Sequence, residues 1–172
     1  AQMKKKLTWL LLWCPLIHYG QAAFDIARKG TVAEIEKIYS TDKASVNAVD
    51  SNGNSMLILA CYRGNTEVAK YIASKTSDIN YKNKQGTALM AAVMNGDAAL
   101  VSYLLQKGAK PDIAEESGKT ALIYAVSFGK TACAKALVSG GANKNIKDNE
   151  GKTALDYARN TQITELIILL DQ

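Results

Sequence analysis

The string Gly-Lys-Thr-Ala-Leu stands at 118–122 and again at 151–155, a displacement of 33 residues. Gly86-Thr87-Ala88-Leu89 is the same string with one residue missing, and Gly53-Asn54-Ser55-Met56-Leu57 is a looser copy. Leu57, Leu89, Leu122 and Leu155 are each followed three residues later by an alanine: Ala60, Ala92, Ala125 and Ala158. Gly64, Gly96 and Gly129 follow the first three of these alanines by four residues. A unit of this length cannot bury its own apolar face. The copies must therefore stack into an elongated array whose core runs from each copy to the next.

Within each copy the spacing predicts a short helix, a turn and a second helix. A Ser or Thr (Ser55, Thr87, Thr120, Thr153) opens the first helix and can cap its free N–H groups. Leu and Ala three apart set one apolar face inward, and the small alanine lets a neighbouring helix approach closely. The glycine then ends the helix in a backbone conformation that other residues resist. The second helix carries its apolar residues at i, i+3 and i+4: Val68 with Tyr71 and Ile72, Leu100 with Tyr103 and Leu104, Cys133 with Ala136 and Leu137.

So many unlike positions recurring in phase make the chain resemble the ankyrin-repeat family over nearly all of residues 23–172. The resemblance implies an all-α solenoid of about five stacked helix-turn-helix units with short β-hairpin loops. The units are a degenerate first repeat at 23–45 (Phe24, Ile26, Ala27, Gly30, Ile35, Ile38, Tyr39), repeats at 46–78, 79–110 and 111–143, and a C-terminal cap at 144–172. The family's Thr-Pro-Leu-His is replaced by Ser-Met-Leu-Ile, Thr-Ala-Leu-Met, Thr-Ala-Leu-Ile and Thr-Ala-Leu-Asp, so a pre-organised helix start and a hydrogen-bonding histidine are both missing. The last copy has Gln162 in place of the mid-repeat glycine. It also has Ile168 where earlier copies have Lys70, Ser102 and Lys135.

Residues 1–22 read as a signal peptide: Lys4, Lys5 and Lys6, then an apolar run of eleven residues from Leu7 to Ile17, then Gly20-Gln21-Ala22 with small residues at −3 and −1. The run is about half the roughly twenty residues that a membrane span needs, and Pro15 interrupts it. Met3 reads as the natural start. Lipidation at Cys14 is the lesser alternative, because Trp13 stands where a lipoprotein needs a small residue. Removal of the segment leaves a domain at 23–172, with no membrane span, in the periplasm or outside the cell. It also removes His18, the only histidine of the 172 residues.

That loss bears on chemistry. Without histidine the mature chain lacks a Ser-His-Asp or Cys-His pair, so a non-enzyme is expected. Glu115-Glu116 reads as solvated charge in a hairpin tip, while Asp50 and Asp148 stand where turns use a carboxylate to hold local N–H groups. No metal motif and no phosphate-binding loop is present, so no metal and no cofactor are expected. The net charge of +5 falls to +2 from residue 23 onward, where 18 basic residues face 16 acidic ones without forming a stripe. Nucleic acid is therefore not an expected partner. Cys61 and Cys133 fall two stacking steps apart, each of roughly 8–10 Å. A disulfide needs Cα atoms within about 7 Å, so both read as buried thiols.

The resemblance implies that a partner protein is held on the concave face. Its variable positions map to Ser51, Asn52, Asn54, Lys84, Gln85, Glu116, Ser117, Lys119, Asn149, Glu150 and Lys152 on the hairpin tips. On the first-helix ends they map to Tyr62, Arg63, Met94, Asn95, Ser127 and Phe128. Tyr62, Arg63, Met94 and Phe128 are the expected hot spot, since interfaces favour aromatic residues, Met and Arg. The chain resembles small exported bacterial ankyrin proteins, some of them periplasmic accessory proteins linked to catalases and others immunity proteins that neutralise a secreted toxin. The expected function is thus an exported adaptor, accessory or inhibitor that binds one protein. The alternatives are a toxin-neutralising immunity protein or an envelope component that self-associates through its C-terminal edge.

Overall fold

The computed structural model describes residues 14–171. Ten α-helices lie in that span: α1 Cys14–Lys29, α2 Val32–Thr41, α3 Met56–Arg63, α4 Thr66–Ala73, α5 Ala88–Asn95, α6 Ala98–Gln106, α7 Ala121–Ser127, α8 Thr131–Ser139, α9 Ala154–Thr161 and α10 Thr164–Asp171. The odd-numbered helices pack in sequence as one layer and the even-numbered ones as a second. This is the all-α repeat solenoid expected, in five helix pairs.

The caps explain the helix starts. The side chains of Ser55, Thr87, Thr120 and Thr153 each accept a bond from the backbone N–H three residues on. Gly64, Gly96 and Gly129 then end the first helices with φ of 69°, 81° and 62°. Gln162 takes the same left-handed conformation in the last pair, with φ 57°, and is the only non-glycine to do so among the described residues. Where the family has histidine, Ile58, Met90 and Ile123 are buried apolar residues. In the fourth copy Asp156 instead closes a capping box with Thr153.

One ladder defines the core. Ala60, Ala92, Ala125 and Ala158 are wholly buried between first helices. Leu57, Leu89 and Leu122 are buried with them, while Leu155 is half-buried. Cys61 and Cys133 are buried free thiols within this core.

The loops are tighter than paired strands. Only one tip forms a ladder, β1 Lys82–Asn83 against β2 Gly86–Thr87. Val49 and Ser55 make a single bridge, and the tips at 115–119 and 148–152 are hydrogen-bonded turns. Each tip is organised by one side chain, at positions 50, 83, 115 and 148. Asp50 accepts from the N–H groups of Asn52 and Asn54, and Asn83 from those of Gln85 and Gly86. Asp148 accepts from Glu150 and Lys152. Glu115 does the same work, accepting from the N–H groups of Ser117 and Lys119 and from the Ser117 hydroxyl. This corrects the reading of Glu115 as free loop charge: its longer side chain reaches the acceptor position that Asp fills elsewhere.

α1 runs back from Phe24 through Ala22 to Cys14 as one helix. The three lysines and most of the apolar run, residues 1–13, lie outside the described residues. No described helix is long and apolar enough to cross a membrane.

Candidate protein-binding surface

The first helices and the tips together form a groove of about 610 Å³ on one face of the array. Its floor is apolar: Ile58 and Leu59 from α3, Met90 and Ala91 from α5, and the ring of Tyr124 from α7. Tyr62, Arg63 and Met94 line it at the helix ends. These positions fall there because each first helix turns its Leu and Ala inward. The last residues before the terminating glycine are thereby left uncovered. Tyr62, Met94 and Phe128 are 60%, 39% and 51% exposed. Phe128 extends the apolar surface beyond the groove itself, stacking on Tyr124 with ring centroids 6.0 Å apart and planes within 3°.

The tips give the groove a rim of neutral amides, Asn52, Asn54, Asn83 and Gln85. Two of these are internal braces. Asn54 donates to Asp50 and accepts from the Asn83 amide at 2.8 Å, while the Asn83 carbonyl oxygen holds its own turn. Among the described residues the side chains of Asn52 and Gln85 have no such intramolecular bond, so both are free to meet a ligand.

Several other expected contact residues are likewise engaged within the protein. The Asn95 amide donates to the Cys61 carbonyl at 3.3 Å, and the Asn149 amide to the Glu116 carbonyl at 3.0 Å. The Ser127 hydroxyl turns back to the Ile123 carbonyl at 2.8 Å. Lys119 and Lys152 both lie over the Tyr157 ring, and Lys152 also bonds Glu150 at 2.7 Å. Ser51, Lys84 and Glu116 are exposed on the tips, outside the groove lining. The structure thus gathers Asn52, Asn54, Tyr62, Arg63, Gln85 and Met94 around one concavity. Ser127, Phe128 and the tips at 116–119 and 149–152 lie beyond it.

Sequence reasoning missed the floor and one end wall. Leu59, Ala91 and Tyr124 each follow the recurrent Leu by two residues, a register that would have marked them. Arg28 lines the groove from α1, which has no clear repeat signature, and bonds Asp25 at 3.0 Å and Asp50 at 3.5 Å. Burial raises the Asp50 carboxyl, but the bonds from Asn54 and Asn52 and the Arg28 charge outweigh it, so Asp50 stays below its ordinary value. Burial, with the Glu115 charge behind it, pushes the Tyr124 hydroxyl up, so that ring stays neutral. The groove lining contains two guanidinium groups and no carboxylate.

A family model described as ankyrin repeats (3 copies) matches residues 23–115 and 89–172. The chain is 37% identical over 94 residues to the E3 ubiquitin-protein ligase hecd-1 of Caenorhabditis elegans, covering 55% of this chain and 4% of that protein. It is 30% identical over 97 residues to ankyrin repeat and SAM domain-containing protein 6 of Rattus norvegicus, covering 55% of this chain and 11% of the relative. Rabankyrin-5 of Homo sapiens is 37% identical over 67 residues, 38% of this chain and 6% of its own length. The chain therefore spans only a small part of these relatives, and the similarity is one of repeats. Side-chain-braced tips, stacked helix pairs and a family match across residues 23–172 lead to one assignment: this chain belongs to the ankyrin-repeat family.

Proposed function

We propose that this chain is an exported binding module that holds one partner protein in the groove over α3, α5 and α7, acting as an adaptor, accessory or inhibitor rather than as a catalyst. The carrying observation is that exposed Tyr62 and Met94 line an apolar floor that exposed Phe128 continues beside the groove, across three adjacent helix pairs. Ankyrin repeats in general mediate protein–protein interaction, and stacked repeats make the extended concave surfaces such binding uses. Rigid aromatic and Met side chains are the residues expected at the centre of an interface. The ligase activity in the name of hecd-1 belongs to a protein of which this chain matches 4%.

The reading is tested by replacing Tyr62, Met94 and Phe128 together with Ala, confirming helicity by circular dichroism, and measuring capture of partners from the native envelope by mass spectrometry. Loss of a specific captured protein is expected. Undiminished capture by the folded variant would move the site elsewhere. Export rests on the basic start, the apolar run and the small residues before Ala23. Intact-mass measurement of the exported form checks it, with a mass still containing Trp9 and Trp13 counting against cleavage.

A second reading has its own observation. Ile168 is 57% exposed on α10, at the position where earlier copies carry Lys70, Ser102 and Lys135. Self-association through that edge would make the chain a component of a larger assembly.

A further inference from the structure

Resting on the binding reading above, we infer that the groove selects an extended acidic segment of its partner, one that pairs bulky apolar side chains with a carboxylate, and that Arg63 anchors that carboxylate.

The two guanidinium groups in the groove differ in state. That of Arg28 is held between Asp25 at 3.0 Å and Asp50 at 3.5 Å. Arg63 is exposed at the end of α3, and among the described residues no carboxylate lies within ion-pair distance of it. Its guanidinium sits 6.0 Å from the centroid of the Tyr62 ring. That arrangement leaves the fork of donors available while the ring shields one face. The tip carboxylates Asp50 and Glu115 are engaged within their own turns, Asp50 also by the Asn54 amide and Arg28. They do not compete for Arg63.

A docked segment therefore meets an apolar floor, a positive corner and two unoccupied amides, Asn52 and Gln85, able to bond its backbone. A partner carboxylate covered by Tyr62 and Met94 forms a charge-assisted bond with reduced solvent screening. A basic segment in the same place faces an unpaired like charge, which rejects it as a repulsive element of specificity. Complementary charge also steers the encounter, so association is expected to slow as salt is raised.

The test uses the full chain, immobilised, to select randomised linear peptides displayed on phage. It is run in parallel with Arg63→Glu and with Met94→Glu, each shown by circular dichroism to be folded. Wild type is expected to enrich Asp or Glu beside Leu, Phe, Tyr or Met. Arg63→Glu is expected to lose the acidic enrichment and keep the apolar one, and Met94→Glu to lose selection. A synthetic copy of the enriched peptide with its acid changed to the amide should bind wild type about tenfold more weakly by fluorescence anisotropy. Apolar enrichment without acids, or acidic enrichment that survives Arg63→Glu, overturns the inference and leaves the groove standing as the binding site. Identical pools from wild type and Met94→Glu overturn both.

Discussion

Gln162 closes α9 with φ 57°, a conformation that penalises an L side chain by about 1–2 kcal/mol. The equivalent positions in three earlier copies are glycine, and Gln162 itself is exposed. Gln162→Gly is expected to raise stability by about 1 kcal/mol, after allowing for the greater freedom of glycine in the unfolded chain. Urea denaturation checks it, and an unchanged or lower midpoint counts against relief of strain. Tyr157 offers a pH test. Its hydroxyl donates to Asp148 at 2.5 Å. That bond, with burial and the charges of Asp148 and Glu150, pushes its pKa up to about 12. A raised pKa stabilises the fold fully below the unfolded value of about 10, and the gain is lost as pH rises from there through the folded value. Wild type should therefore lose more stability than Tyr157→Phe across that alkaline window, measured as paired urea midpoints. Equal losses would show that the bond is not responsible. The turn acceptors show what sequence conceals at this scale. Asp50 and Asp148 were recognisable, while Asn83 and Glu115 perform the same task with different residue types, so the role is periodic although the letters are not.

The first helices α3, α5 and α7 were readable because two independent signals coincide in each, a Ser or Thr cap at the start and a glycine past the end, recurring every 32 or 33 residues. Their contact faces were less so. Leu59, Ala91 and Tyr124 lie on the groove floor for reasons of helix phase, and nothing in their chemistry distinguishes them from core residues. A set of inter-repeat polar rungs was likewise hidden. Asn47 accepts from Thr76 and Ser77, Asn80 from the Lys110 N–H and Asp112 from the Asn143 N–H, each tying one loop to the next copy. The two cysteines belong to the same scale, since the helices α3 and α8 decide their reactivity. Both are buried and unpaired, and burial, reinforced by the Asp97 charge, pushes the Cys61 thiol up. Alkylation by iodoacetamide, read residue by residue by mass spectrometry, should leave Cys61 and Cys133 unmodified in the folded protein and modify both in urea. Rapid native labelling of either would contradict the burial.

At the scale of the molecule, the first and last described helix pairs are unlike: α1 continues back through Ala22, and α10 carries the exposed Ile168. If that edge joins copies together, wild type should show a concentration-dependent rise in mass by light scattering that Ile168→Lys abolishes. A monodisperse monomer in both would make Ile168 an isolated exposed side chain, of which folded proteins carry many. The tips also differ in how they are joined along the array. Asn83 and Tyr81 tie the second tip to the first, through Asn54 and the Gly53 carbonyl. The fourth is tied to the third through Asn149, by both its amide and its backbone N–H. Between the second and third tips, among the described residues, the bond is that of Lys82 Nζ to the Ala114 carbonyl, carried on a long side chain. Every step of the tip row is therefore bridged, and the step that the groove floor crosses between Met90 and Tyr124 is the one whose tip bond is carried on a lysine side chain. A guest lying along the floor thus passes a rim whose braces are short amide and backbone bonds at both ends and a single long cationic arm in the middle.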